Sequence, residues 1–171
     1  MRGGEEADVS GETMVRVRPW WADLLLRGPG DLPSLASRVA VTVVIAAGAV
    51  CLAGSGVIHL YLWGKQYGYK DVPTIGPLFI IQGIASILVA VGIIVTRRAG
   101  VLLVGAGMLF ASVVALVLAV YVGLFGFKDS WLAPYAWTSF YEELAGGVLL
   151  LAAAGALAWS ALPGRSSGIG R

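Results

Sequence analysis

The chain has 171 residues, of which 58% are hydrophobic and 13% are charged, and its formal net charge is +2. Soluble globular domains are nearer half apolar and a quarter charged, so this composition excludes an ordinary soluble domain. The small net charge excludes a nucleic-acid partner. Because Cys51 is the single cysteine, an internal disulfide is excluded. Because His59 is the single histidine, a bis-histidine haem within one chain is excluded as well.

The N-terminal region divides into two parts. Residues 1–14 place several acidic side chains among glycines with little to bury, which predicts a disordered tail. Residues 15–28 predict a short interfacial amphipathic helix, with Pro19 suited to its first position and Gly28 to its end. Its apolar face would carry Trp20, Trp21, Leu24 and Leu25. An irregular linker with chance tryptophans is the alternative.

Four later stretches are long and apolar enough to cross a bilayer, which needs roughly 20 apolar residues in a helix. They cover residues 39–63, 78–95, 100–127 and 138–162. None shows the alternation of a membrane β-strand, so we predict an all-α, integral membrane four-helix bundle with a short N-terminal interfacial helix. We predict that residues 39–162 form the four-transmembrane-helix domain and that residues 163–171 form a flexible cytoplasmic tail.

The cations predict an orientation and one hairpin. If the N-terminus is cytoplasmic, the inner segments hold nine arginines and the outer loops hold three lysines. The positive-inside rule therefore places both termini in the cytoplasm. Arg97 and Arg98 form a tight turn, which predicts that the second and third spans are antiparallel neighbours.

The third span carries a file of small residues at every fourth position. Such files allow close helix approach in lipid, where little hydrophobic drive pairs helices. We therefore predict a helix-packing interface at these positions, either within the bundle or with another subunit. Its members are Gly107, Ala111, Ala115, Ala119 and Gly123.

A second group of candidate residues is polar and lies near the outer ends of the spans. Ionisable groups at membrane depth are costly and often functional, so we predict a polar pocket there. Adjacent helical residues point about 100° apart, so either glutamate of the fourth span could face inward. The candidates are Ser55, His59, Tyr61, Gln82, Glu142 and Glu143.

The chemistry of this predicted pocket has several interpretations. His59 beside a carboxylate could relay protons, hydrogen-bond a quinone or supply one metal ligand, with Glu143 as its partner and Gln82 as an orienting donor. The structural alternative places the glutamates in a first helical turn, facing the positive helix end, and His59 in the interfacial aromatic belt. No nucleotide-binding or metalloprotease motif is present, so no catalytic or metal-binding residue is predicted.

Residues 58–63 (IHLYLW), Tyr69 and residues 72–79 (VPTIGPLF) carry a family resemblance. This part of the chain resembles uncharacterised four-span membrane proteins of high-GC actinobacteria. In architecture, residues 39–162 also resemble DoxX-type four-helix proteins, some of which accompany membrane oxidoreductases. The resemblance implies a bacterial inner membrane and transfers no catalytic residue.

These observations predict a non-catalytic accessory or scaffolding subunit of a larger membrane assembly, or a small homo-oligomer. Its partners would be the lipid bilayer and other membrane subunits or further copies of itself, with no nucleic acid and no cofactor. The alternative is a redox-linked or transport component that binds a quinone, a small solute or a proton in the outer-leaflet pocket.

Overall fold

The computed structural model describes residues 19–65 and 68–160. The predicted tails at 1–14 and 163–171 and the first four residues of the predicted interfacial helix lie outside the described residues. The described chain is a bundle of α-helices, and its only β-type pairing is one isolated bridge between Leu124 and Phe127. The five helices are α1 (Trp20–Leu26), α2 (Leu35–Gly64), α3 (Ile75–Thr96), α4 (Ala99–Tyr121) and α5 (Ala136–Trp159). Helices α2 to α5 are long and apolar enough to span a membrane, so the predicted fold class is confirmed.

Helix α1 follows Pro19 and lies against the start of α4. The backbone amide of Ala99 donates to the Arg27 carbonyl oxygen over 2.9 Å. A Cβ atom at Gly100 would lie 3.3 Å from the Cβ atom of Leu25. The indole of Trp21 remains 53% exposed, so α1 keeps apolar surface on its outer side. Its position at a membrane interface stays a prediction.

The spanning helices begin earlier than predicted because their first turns include residues that precede the apolar runs. Helix α2 begins at Leu35, where Ser34 caps it by accepting a 3.1 Å hydrogen bond from the Ser37 amide. Helix α3 begins three residues before the predicted Leu78, and α5 begins two residues before the predicted Thr138.

The predicted end of the third span was wrong. Helix α4 ends at Tyr121, six residues before Phe127. Gly123, Phe125 and Gly126 all have positive φ values, and such left-handed residues cannot continue a right-handed helix. Leu124 and Phe127 instead exchange two backbone hydrogen bonds of 2.7 and 2.9 Å. The apolar run therefore continues beyond the helix into a compact turn.

The spanning helices are arranged in the order α3, α2, α5 and α4. Helix α2 packs extensively on both α3 and α5, and α5 packs extensively on α4. Arg97 and Arg98 join α3 to α4 as the predicted antiparallel hairpin, but this pair has less contact than the others. We call the end with α1 and this turn the α1 end. The opposite end, with loops 65–74 and 122–135, is the loop end.

Glycines bring the helices into close contact. A Cβ atom at Gly56 of α2 would lie 2.8 Å from the carbonyl oxygen of Gly83 in α3. On the other side of α2, a Cβ atom at Gly146 of α5 would lie 2.5 Å from the Cβ atom of Cys51. Close approach of this kind replaces the hydrophobic drive that lipid does not supply.

Large aliphatic side chains fill the bundle from its middle to the α1 end. Each is at most 1% exposed, so this half is tightly packed. The members are Ile45, Leu52, Ile93, Leu102, Leu109, Leu150 and Leu157. The buried carboxyl group and a polar cavity lie in the other half, at the loop end.

The close contact of α2 and α3 predicts the effect of a single methyl group. We expect Gly56→Ala to lower the free energy of unfolding by about 1–3 kcal/mol, because the methyl group must displace backbone rather than a flexible side chain. Gly155→Ala is the matched control, since nothing lies within 4 Å of its Cβ position. Equilibrium unfolding in mixed micelles measures both. Equal stability of the two variants would contradict the close α2–α3 contact.

Candidate functional site

A cavity opens at the loop end between α2, α3, α4, α5 and the two loops. Its volume is about 90 Å³. The deeper part is lined by His59, Ser112, Ser139 and Glu143. The part nearer the loops is lined mainly by aromatic and aliphatic side chains, among them Tyr69, Phe79, Leu124, Phe127 and Tyr135. The cavity therefore has apolar walls and a polar inner end.

Glu143 is the central residue of that inner end. Its side chain is fully buried, and its Oε1 atom accepts hydrogen bonds from Ser55 Oγ at 2.7 Å and Ser112 Oγ at 2.8 Å. These contacts join α5 to α2 and to α4. The Oε2 atom is also buried, and it has no hydrogen-bond partner among the residues that the structure describes. One oxygen of the carboxyl group thus has hydrogen-bond partners, and the other is buried without one among the described residues.

His59 lies next to the carboxyl group without bonding to it. Its Nδ1 atom is 2.8 Å from the Ser55 carbonyl oxygen and 4.0 Å from Glu143 Oε1. A carbonyl oxygen can only accept, so Nδ1 carries a proton and donates it to Ser55. In the neutral ring, Nε2 is therefore an acceptor. Ser55 positions both neighbours, since its hydroxyl donates to Glu143 and its carbonyl holds His59.

The structure brings three of the six predicted pocket residues together: Ser55, His59 and Glu143. Glu143 faces inward, whereas Glu142 turns to the outer α2–α5 groove, where a Cβ atom at Gly54 would overlap its carboxyl group. Their separation follows from the angle between adjacent helical residues. Because Glu143 is the eighth residue of α5, it also lies beyond the first turn, where the positive helix end acts.

Tyr61 and Gln82 lie outside the cavity. The Tyr61 ring packs edge-on against Tyr135 at 5.6 Å, and Lys65 Nζ lies 5.3 Å from the Tyr61 ring centre. Tyr61 thus supports the cavity wall from behind. Gln82 is partly buried on α3, and its Nε2 atom has no hydrogen-bond partner within the described chain. It does not line the cavity, so nothing in the geometry gives it the predicted orienting role.

The file of small residues is divided by the structure. Ala115 and Ala119 line the cavity, where their short side chains leave space. Gly107 and Ala111 are exposed on the outside of α4, and Gly123 follows the end of that helix. Packing within the bundle uses an adjacent face of α4 instead, which includes Gly105, Ala106 and Leu109. A contact of Gly107 and Ala111 with another subunit stays a prediction.

Sequence reasoning missed Ser112, Ser139 and the residues of the cavity mouth. Ser112 had a detectable signal, because it is the one polar residue in α4 before Tyr121. Ser139 lies one turn before Glu143 on α5, so the same face of that helix carries both residues. The mouth residues were harder to find, since loop geometry brings together two segments that are distant in sequence.

At the mouth, Tyr69 connects the two loops. Its hydroxyl donates to the carboxylate of Asp129 at 3.2 Å, and its ring stacks on Phe79 at 4.8 Å. Burial, followed by the charge of Asp129 and this hydrogen bond, raises the pKa of the Tyr69 phenol well above its usual value. Tyr69 therefore stays protonated and remains a donor throughout the physiological range of pH.

The backbone around the mouth is unusual. Thr74, Phe125 and Tyr135 have φ values of 71°, 51° and 62°, a left-handed region that side chains rarely adopt. Two of these residues begin the turns into α3 and α5, and Phe125 lies in the compact turn after α4. Strained residues of this kind persist where surrounding contacts hold them, often at functional sites.

Comparisons with family models, curated proteins and solved structures found no match to this chain. Within the described chain, no three His, Cys, Asp or Glu side chains are grouped so that they could hold a metal ion. The geometry and chemistry of the cavity therefore carry the functional inference.

The hydrogen bond from Ser55 to Glu143 predicts a measurable contribution to stability. We expect Ser55→Ala to lower the free energy of unfolding by about 1–2 kcal/mol, because Glu143 loses one of its two donors. Ser86→Ala is the matched control: Ser86 is equally buried, and its hydroxyl has no hydrogen-bond partner within the described residues. Its loss should be neutral or stabilising. Equal losses in both variants would contradict the assigned hydrogen bond.

Proposed function

We propose that this membrane protein binds a small solute in the loop-end cavity and that Glu143 is the anchor of the bound molecule. The observation that carries the proposal is the Glu143 Oε2 atom, which is fully buried, belongs to a cavity-lining residue and has no partner within the described chain. Polar atoms buried without a partner are rare in folded proteins, because they lose their hydration without compensation.

Both protonation states of Glu143 support this proposal. A neutral acid can place a hydroxyl group on Oε2 that needs an acceptor, and a carboxylate has a negative charge that needs a donor or a cation. An unsatisfied buried polar group costs about 1–3 kcal/mol, and a charged group costs more. A bound molecule that pairs with Oε2 removes this cost. The free energy recovered in this way favours binding at the inner end of the cavity.

The size of the cavity favours a small solute, or a proton carried with water, over a quinone. Its volume of about 90 Å³ provides space for several water molecules. A cavity that accommodates benzene has a volume of about 150 Å³, and a quinone ring with its two oxygens is larger than benzene. Binding of a quinone would therefore require the bundle to open.

The packing of the bundle favours binding over conduction. Leu52, Leu109 and Leu150 are fully buried near the middle of the bundle, directly beyond the polar inner end. A solute that enters from the loop end meets this packed layer.

The Ser55–His59 pair also lacks the arrangement for nucleophilic catalysis, because Nδ1 is already a donor and the Ser55 hydroxyl donates to Glu143.

The proposed orientation places the cavity at the outer surface of a bacterial inner membrane, with both termini in the cytoplasm. Arg27, Arg38, Arg97 and Arg98 lie at the α1 end, whereas the loop end has Lys65, Lys70 and Lys128. The positive-inside rule counts arginine and lysine alike, so these residues give four cations against three. Five further arginines in residues 1–18 and 161–171 raise the ratio to nine against three, which supports a cytoplasmic position of the α1 end.

The proposal predicts a binding response that depends on Glu143. Thermal unfolding of the full chain would be measured with ethylammonium chloride, acetamide, ethanol and sodium acetate, four small solutes of different chemistry. We expect at least one to raise the Tm, since a ligand at 100 times its Kd adds about 2.7 kcal/mol to stability. The rise should persist in Glu142→Gln, which alters the neighbouring carboxyl group, and disappear in Glu143→Gln.

Glu143→Gln is suited to this experiment because its amide oxygen can still accept from both serine hydroxyl groups. If no solute raised the Tm of the parent protein, or if every rise survived in Glu143→Gln, binding at Glu143 would be refuted.

A second candidate function, the accessory subunit, is favoured by the outer face of α4. Gly107 and Ala111 are exposed there, and nothing lies within 4 Å of a Cβ atom at Gly107. An exposed pair of small residues four positions apart permits close approach of another helix in lipid. We propose that a helix of another subunit, or of a second copy of this chain, packs on this face.

The accessory function predicts that Ala111→Leu lowers the mass of the complex extracted in mild detergent, because the larger side chain holds the partner helix away. Val57→Leu is the matched control, because Val57 is an exposed valine on α2, outside the proposed interface. Native mass spectrometry measures both variants. An unchanged mass distribution in Ala111→Leu would argue against this interface.

A further inference from the structure

We infer that the solute bound in the cavity is a small primary ammonium ion, R–NH₃⁺, whose N–H groups donate to Glu143 and His59. This inference rests on the proposed function and names its ligand class. Four observations carry it: the unused acceptors, the charges along the cavity, the aromatic wall and the volume.

The unused polar atoms at the inner end include two acceptors. Glu143 Oε2 has no partner within the described residues. For His59, the bond from Nδ1 to the Ser55 carbonyl oxygen makes Nε2 an acceptor in the neutral ring. Glu143 Oε2 needs a donor from the bound molecule, and His59 Nε2 can accept a second one. A primary ammonium group has three N–H donors and no acceptor, so it can serve both atoms.

The charges along the cavity favour a cation. Glu143 lies at the inner end and Asp129 at the mouth, and no lysine or arginine is among the described residues that line the cavity. A cation that enters from the loop end passes one carboxylate and reaches another carboxyl group. An anion would meet the same two groups without a compensating positive charge.

An aromatic wall runs from the mouth to the inner end. It is formed by Phe127, Tyr69, Phe79 and His59, whose successive ring centres are 5.7, 4.8 and 4.9 Å apart. Aromatic faces attract ammonium groups through the ring quadrupole, and this attraction grows when the cation is desolvated.

The volume limits the alkyl group. Because the cavity is smaller than one that accommodates benzene, it fits an ammonium ion with one or two carbon atoms. Two sources supply this chemistry: a free amine in solution, and the ethanolamine headgroup of a phospholipid beside the loop end. Both present the same R–NH₃⁺ group to Glu143.

The test is calorimetric titration of the full chain in detergent with ethylammonium chloride, with acetamide as a neutral donor of similar size and sodium chloride as the salt control. We expect saturable binding of ethylammonium alone. Glu143→Gln should weaken it by roughly 30-fold or more, because a buried charge loses its counter-ion. Glu142→Gln should bind as the parent protein does.

A second variant keeps the inference falsifiable if Glu143→Gln unfolds. Phe79→Leu retains a large apolar side chain and removes one ring of the aromatic wall, so ethylammonium binding should weaken by about threefold. Ethylammonium binding that is equal in the parent protein and in Phe79→Leu would contradict the role of the wall. Failure of ethylammonium to bind the parent protein would overturn the inference.

The experiment separates this inference from the proposed function. Binding of acetamide that depends on Glu143, without binding of ethylammonium, would overturn the ammonium inference and leave the small-solute function intact. Nanodiscs then distinguish the two sources. Loss of the ethylammonium signal in phosphatidylethanolamine, but not in phosphatidylglycerol, identifies the lipid headgroup as the resident ligand. Retention in both lipids identifies a free amine.

Discussion

The site depends on one buried carboxyl oxygen that accepts hydrogen bonds from two serine hydroxyl groups. Through Glu143 Oε1, helix α5 is joined to Ser55 of α2 and Ser112 of α4 at a depth where water is scarce. Burial of a carboxyl group is costly, and these two hydrogen bonds recover only part of the cost. The remaining oxygen lies in the half of the bundle that contains the polar cavity rather than the packed core. The same geometry holds His59 beside the carboxyl group, since Ser55 uses its carbonyl oxygen for the imidazole.

One half of the bundle is tightly packed and provides stability, and the other half contains the proposed binding cavity. From the middle to the α1 end, buried leucine and isoleucine side chains fill the interior, and close glycine contacts bring α2 against α3 and α5. Near the loop end, Ala115 and Ala119 leave space that larger residues would fill. The Tyr69–Asp129 hydrogen bond then connects the loops around the opening. A rigid half thus supports a cavity whose walls come from four helices and two loops, as preorganised binding requires.

Hydropathy predicted the fold class because the length of an apolar run is a local property that bilayer thickness sets directly. It misplaced the end of α4, since Leu124, Phe125 and Phe127 are as apolar as a helix end but adopt a turn that only backbone geometry reveals. Depth along the spans predicted a group that includes Ser55, His59 and Glu143, and the structure places these three side chains next to one another. It could not decide between Glu142 and Glu143, because that choice depends on the rotation of α5 in the bundle. Ser112 and the Tyr69–Asp129 contact depend on packing between segments far apart in the chain, which no local pattern contains.

The central claim is that the unpaired Oε2 atom of Glu143 faces a bound molecule. The most direct measurement is an experimental structure of the full chain in lipid, at a resolution that shows ordered water. The account predicts density separate from the protein at about 3 Å from Glu143 Oε2, enclosed by His59 and the aromatic wall. A protein side chain bonded to Oε2, or a Glu143 carboxyl group turned toward lipid, would contradict it.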